Sequence, residues 1–218
     1  MPILPSVRLS DRNVRLEPLA TEHAPSLLAA ANESRATYAF TIVPADLASM
    51  EAYVATALAE QSRGESVPFV VRDGKGVIVG STRYMMIEWW PWPGAPAQRP
   101  ELPNVSEASK EAGPDALEIG FTWYAERAQR TALNTSAKLL LCAHAFERWR
   151  VRRVTWKTDA RNLRSRAAIL RIGAKFEGVL RAHRPASDGT VRDAAFYSML
   201  AQEWPEAKRA LMQRLESR

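Results

Sequence analysis

The sequence predicts an α+β (mixed α/β) fold, a mostly antiparallel sheet with helices on its faces. Three observations predict it. Short alternating segments flank Asp73-Gly74 and again Asp188-Gly189, and Asp-Gly between such segments is the signature of a β-hairpin. Between those hairpins the hydrophobic period switches from strand to helix and back, twice. The apolar runs, such as "AKLLLCAHAF", are far shorter than a membrane span.

The elements follow in order. "VRLEPL" (14–19) alternates and reads as a strand. Thr21 is placed to N-cap a helix running to about Arg35, with Pro25 near its start. A second helix covers 46–62. "VPFVV" (67–71) and "VIVGSTRYMMI" (77–87) form the first hairpin. Residues 88–116, rich in Trp, Pro, Gly and small polar residues, read as an insertion within a single domain spanning 1–218. "LEIGFTWYA" (117–125) is the next strand, followed by a helix over 134–149 that buries Leu139, Cys142, Ala143, Phe146 and Trp149. "RRVTWKTD" (152–159) is a strand. Asn162 can cap the helix after it, which Gly173 ends. "AKFEGVLRAHR" and "VRDAAFYSML" form the second hairpin, and a last helix starts at about 202.

The chain has 218 residues and a net charge of +6, but its basic residues are spread with acids between them. Without a Lys/Arg run or interleaved aromatics, nucleic acid is not the expected partner. The cluster "RNLRSR" (161–166) is the exception, and it suits a small polyanion at least as well as a duplex. The N-terminal stretch lacks the charged head and apolar block of a secretory leader, and no membrane association is expected. The single cysteine, Cys142, fits a reducing cytoplasm. His23, His144 and His183 do not have metal-ligand spacing, so no metal is expected.

The stretch "AERAQRTALNTSAKLLL" (125–141) runs from a loop into a helix N-terminus, where unpaired backbone amides and the helix dipole bind phosphate oxygens. Such loops usually carry glycine, and this one has none. Ala132 is the smallest substitute and Asn134 tolerates positive φ. Thr131 and Thr135 add hydroxyls, and Arg130 adds charge.

Taken together, three motifs resemble the GNAT superfamily of acyl-CoA-dependent N-acyltransferases, and most closely its ribosomal-protein-alanine N-acetyltransferase branch. They are "LEIGFTWYAERAQRTALNTSAKLLL", "VTWKTDARNLRSRAAILRIGAKFEGVLR" and "DGTVRDAAFYSML", and the resemblance covers nearly the whole chain. It implies a twisted sheet with a V-shaped opening between the strands at 118–125 and 152–159. Acetyl-CoA would lie there as co-substrate. Trp123 and Tyr124 would offer backbone groups to the pantetheine arm. Arg130, Thr131, Ala132, Leu133, Asn134 and Thr135 would hold the pyrophosphate. Asn162 would contact the pantetheine near the thioester, and Arg166, with Arg161 and Arg164, would meet the 3′-phosphate. The departure is Ala132, where the family has its first glycine. A positive φ there would cost on the order of 1–2 kcal/mol.

The reaction so implied is direct attack of an amine on the thioester. It needs a proton acceptor, an oxyanion donor and a donor to the leaving thiolate. Glu118 is the candidate base, with Glu88 and Asp159 as rivals, and Ser165 is the candidate donor to sulfur. The acceptor is a protein or peptide N-terminus, or a small-molecule amine. The alternative is an acyl-CoA-binding protein without catalysis. The three Trp within residues 89–92 must pack on the body, a partner subunit or a substrate, which leaves room for an acceptor wall or a homodimer contact.

Overall fold

The computed structural model describes residues 2–93 and 113–217, so most of the expected insertion lies outside the described residues. Among the described residues, eight strands form one sheet in the order β1-β2-β3-β4-β5-β6-β8-β7. They are β1 (Leu9–Ser10), β2 (Val14–Pro18), β3 (Ser66–Asp73), β4 (Ile78–Glu88), β5 (Ala116–Tyr124), β6 (Arg153–Asp159), β7 (Lys175–Pro185) and β8 (Val191–Leu200). The α-helices that join them are α1 (Ala24–Ala31), α2 (Leu47–Ser62), α3 (Leu133–Ala143), α4 (Leu163–Arg171) and α5 (Trp204–Glu216). Every neighbouring pair of these strands is antiparallel except β5 and β6.

Both hairpins form where Asp-Gly placed them. Asp73 Oδ1 accepts from the amides of Lys75 and Val77, which closes the first turn. Two expectations fail. The helix from Thr21 to Arg35 is a short 3-10 turn (Thr21–His23) followed by α1, which stops at Ala31. His23 Nδ1, not the Thr21 hydroxyl, accepts the amide of Ala20 and starts that turn. The helix over 134–149 is α-helical only to Ala143 and finishes in a π turn, His144–Arg148. Cys142, Phe146 and Trp149 are buried as expected, whereas Leu139 and Ala143, upstream of that turn, are half-buried and Ala137 and Leu141 form the buried stripe of α3 instead.

The sheet has two differently covered faces. On one, α3 packs beneath Tyr84, whose hydroxyl donates to the Leu141 carbonyl (2.7 Å) and whose ring meets Phe69 and Trp149. On the other, α2 packs over Ser81 and Arg83. The Tyr53 hydroxyl donates to Ser81 Oγ, and the buried Arg83 guanidinium pairs with Glu60 (2.8 Å). At the start of β5, Asp115 accepts from the Trp90 amide and from Trp92 Nε1, and Arg152 stacks on Trp92. Trp92 thus packs on the body at the foot of β5, while the Trp90 ring stays exposed beside it.

The parallel ladder between β5 and β6 has three rungs, ending at Glu118↔Thr155. Beyond it the strands part, though β5 continues to Tyr124 and β6 to Asp159. The cause lies in β5. Its register with β4 slips between Arg83↔Gly120 and Ser81↔Trp123, leaving Phe121 and Thr122 opposite Thr82 alone, with Phe121 at φ 47°. A bulge of this kind bends and twists its strand.

Lys138 of α3 supports the bent segment from below. It is 6% exposed, and its Nζ donates to Thr122 Oγ1 (2.8 Å), which also bonds Thr82 Oγ1. Burial lowers its pKa to about 8. A lowered lysine pKa means that the unfolded chain holds the proton more tightly, so this contribution to stability rises as pH climbs from about 8 towards the ordinary lysine value. Lys138→Met is expected to stabilise the fold by about 1–3 kcal/mol at pH 7. In chemical denaturation the difference shrinks as pH rises to about 10.

Candidate active site

The opened end of β5 leads into the glycine-free loop. The Ala125 amide donates to Val79 on β4, so by strand alternation the backbone groups of Tyr124 face the opening. Those of Trp123 turn to β4, against the expectation that both would serve a ligand. The Tyr124 carbonyl accepts from Tyr38 Oη (3.0 Å) and Gln129 Nε2 (2.8 Å). The chain then makes a 3-10 turn (Glu126–Ala128) and enters α3. Thr131 Oγ1 donates to the Ala128 carbonyl and accepts from the Leu133 amide.

The backbone answers the glycine question. Ala132 has φ −66° and ψ −20°, ordinary right-handed values, and Arg130 carries the positive φ of 61°. Alanine therefore costs no backbone strain, and the expected loss of affinity has no cause here. The amides of Arg130, Thr131, Ala132, Asn134 and Thr135 have no partner among the described residues. Arg130 and Thr131 are exposed beside them, Ala132 and Asn134 are half-buried, and Leu133 and Thr135 are buried. Free amides at a helix N-terminus with an exposed cation beside them fit a pyrophosphate. Ala132→Gly is expected to change the dissociation constant of CoA by less than about threefold in calorimetric titration, since it relieves no strain.

The start of α4 lies at the end of β6. Asn162 is its cap, with Oδ1 accepting from the Ser165 amide (3.0 Å). The Ser165 hydroxyl is half-buried and makes no hydrogen bond among the described residues. The arginines differ from expectation. Arg166 Nε donates to Tyr197 Oη and its Nη1 to the Ala160 carbonyl, so its guanidinium is built into the body. Arg161 grips Asp159 with two side-chain nitrogens and reaches Asp188 with a third. Arg164 donates to the Thr37 carbonyl.

The three carboxylates separate clearly. Glu118 sits on the last rung of the β5–β6 ladder, at the apex of the opening. It is 5% exposed, and its Oε2 accepts from Lys157 Nζ (2.6 Å). Asp159 is buried, and its hydrogen bonds to Arg161 hold its pKa below the ordinary value. Glu88 bonds Trp90 Nε1 at the far end of β4, opposite Ala116, away from the opening.

Two features escaped sequence reasoning. The first is a strap. Residues 36–41 cross the mouth of the opening. Tyr38 holds Tyr124 on the β5 side, while Thr37 accepts from Arg164, Ala39 accepts from Ser187 Oγ, and Arg161 covers the Phe40 ring on the other. The second is a cavity of about 570 Å³ between the next stretch of chain, α2 and the β5 bulge. Ile42, Pro44, Tyr53, Glu60, Arg83 and Phe121 are among its lining, and the Arg83 guanidinium lies 4.2 Å from the centre of the Phe121 ring. The available signal was Arg35, Tyr38 and Phe40 close together in 35–42, but the partners of this stretch are 80–150 residues away.

A family model for the acetyltransferase (GNAT) domain matches residues 13–175. Among solved structures, a GCN5-related N-acetyltransferase from Brucella melitensis is 28% identical, with a TM-score of 0.77 over 98% of this chain and 87% of that one. A protein assigned as an acetyltransferase, from T. thermophilus, is 32% identical, with a TM-score of 0.75 over 99% of this chain and 100% of that one. RimL, the ribosomal L7/L12 alpha-N-protein acetyltransferase in complex with coenzyme A, shares the fold at 17% identity, with a TM-score of 0.68 over 89% and 98%. None of the curated proteins matches the sequence.

Proposed function

Because the chain belongs to the GNAT acetyltransferase family and is an acyltransferase, we propose that it moves the acetyl group of acetyl-CoA to a primary amine by direct attack in a ternary complex. The observation that carries this reading is the parting of β5 and β6 above Glu118, with the free amides of the α3 N-terminus at its far end. One edge would take the extended arm of the donor and the other its pyrophosphate. The bound donor supplies an activated thioester; the chain supplies everything else.

Residues of the chain fit the three needs of the attack. The bulge at Phe121–Thr122 interrupts the β4 ladder, and a β5 backbone amide freed there would serve as the oxyanion donor. The uncommitted Ser165 hydroxyl can donate to the leaving sulfur. Glu118, bridged to Lys157, is the carboxylate at the apex and takes the proton of the attacking amine, directly or through water. Asn162 sets the start of α4 and so the position of Ser165. The acceptor enters over the face bearing Glu118 and Lys157, beside the cavity between α2 and the β5 bulge. A protein or peptide N-terminus is the favoured class, because RimL, which shares the fold, acetylates the α-amine of a ribosomal protein.

The test is release of free CoA thiol from acetyl-CoA in the presence of peptide and small-molecule amines, with the acetylated product identified by mass. Transfer to a peptide α-amine supports the reading. Tight CoA binding with no transfer to any amine would sink it in favour of a binding protein.

A further inference from the structure

The far end of the acceptor face carries a charge arrangement that the transfer step does not use. On β6, partly exposed Arg153, Thr155 and Lys157 alternate with buried Val154, Trp156 and Thr158. Lys157 pairs in register with Phe196 of β8, so the two side chains share a face, and Ala194 and Arg192 follow on that same face of β8. On β7, Arg184 stands directly opposite Arg192. His183 meets Phe196 edge to face, 5.3 Å between ring centres. A row of side chains therefore runs from Glu118 through Lys157 and Phe196 to His183, with Arg192 and Arg184 beyond it.

Two arginines paired directly across neighbouring strands repel. Neither Arg184 nor Arg192 has an ion-pair partner among the described residues, and Arg192 Nε is buried without a hydrogen bond. The acids near them are engaged elsewhere. Glu118 holds Lys157, Asp159 holds Arg161, Asp188 holds Arg161 and Thr190, and Asp193 accepts the amide of Ala182. His183 is neutral near pH 7. Burial lowers its pKa first, and Arg184, Lys157 and Arg192 lower it further. Lys157, Arg184 and Arg192 all lie close enough to His183 to act on it, and the acid that acts on Arg192, Asp159, is already held by two nitrogens of Arg161.

We propose that this end of the acceptor face binds a carboxylate of the acceptor, so that the preferred acceptor is an amine bearing a carboxylate a few bonds beyond its nitrogen. The inference rests on the acetyl-transfer reading and names the substrate class of that same site. Arg184 and Arg192 grip the carboxylate, His183 and Phe196 form the floor, and the amine points back along the row towards Glu118. The carboxylate has two sources with the same chemistry: an acidic side chain next to a peptide N-terminus, or the carboxylate of a free amino acid.

The test uses three probes: a tripeptide amide with Asp in its second position, the matching Asn tripeptide amide, and free amino acids. Binding is read by calorimetry and transfer by thiol release, on the protein and on its Arg184→Gln/Arg192→Gln variant. We expect the Asp peptide to bind at least about tenfold more tightly than the Asn peptide, with the preference weakening in salt and lost in the variant. A melting transition no lower than that of the parent shows that the variant folds. Tight free amino acids with a weak Asp peptide would assign the site to small acceptors. Equal binding of the Asp and Asn peptides together with weak free amino acids, or a preference that survives in the variant, would overturn the inference and leave the cations as a solvated surface. Binding is measured independently of turnover. A preference without transfer would therefore count against the acetyl-transfer reading alone, and transfer without a preference against this inference alone.

Discussion

Gly80→Ala is expected to abolish CoA binding and to lower stability by about 3 kcal/mol or more, read as a shift in the urea midpoint and a lost calorimetric signal. Gly80 lies on β4 opposite Tyr124. A methyl group there would clash with the Trp123 carbonyl oxygen, far inside van der Waals contact, and lie 3.0 Å from the Tyr124 Cα. Both neighbours are backbone of the strand that forms one arm of the opening, so no rotamer change can relieve the clash. Either β5 moves away from β4, breaking the bond between the Ala125 amide and Val79, or the pair does not form. The first outcome displaces the Tyr124 carbonyl and the loop beyond it. A variant that binds CoA like the parent would show that the β4–β5 contact does not set the donor site.

Glu118→Ala is expected to lower stability by about 3–5 kcal/mol, because it strands the ammonium of Lys157 in a buried position. Acetyl transfer should fall by about two to three orders of magnitude in kcat/KM if Glu118 takes the amine proton. These two effects can be separated. Glu118→Gln with Lys157→Met removes both charges and restores most of the stability, since an apolar or neutral pair of similar size replaces a buried ion pair at little cost. If transfer stays low in the stable double variant, the carboxylate acts on the chemistry. If transfer returns with stability, Glu118 only holds the apex of the opening, and the proton goes elsewhere.

How much of this was legible depended on the range of each interaction. Both hairpins and the start of α4 were readable, because Asp73-Gly74, Asp188-Gly189 and Asn162 act within four residues. The loop that runs into α3 was placed where it lies, but its residue of positive φ was not foreseen. Ala132 drew suspicion by its departure from glycine, while Arg130 carries the left-handed backbone, which no side-chain rule would assign to arginine. The end of the helix after Ala143 was misjudged because a π turn changes the period without changing the hydrophobicity. The ion pair of Glu118 with Lys157 depends on a parallel register fixed by a whole crossover through α3, and local pattern carries no register information. The strap was invisible for the same reason, as each of its contacts joins distant parts of the chain.

The outer strand β7 lies at one end of the sheet, with Phe176, Val179 and Leu180 exposed along it. A flat edge of that length would invite another chain to add a strand, and so invite aggregation. It is not flat. Register shifts fall between Phe176 and Gly178 and between Leu180 and Arg184, Ala182 takes φ 48°, and Pro185 ends the strand without an amide to offer. These breaks leave no uninterrupted ladder of donors and acceptors longer than a few residues. The same distortion that turns His183 and Arg184 towards the acceptor face therefore also keeps copies of the chain from zipping together edge to edge at high concentration.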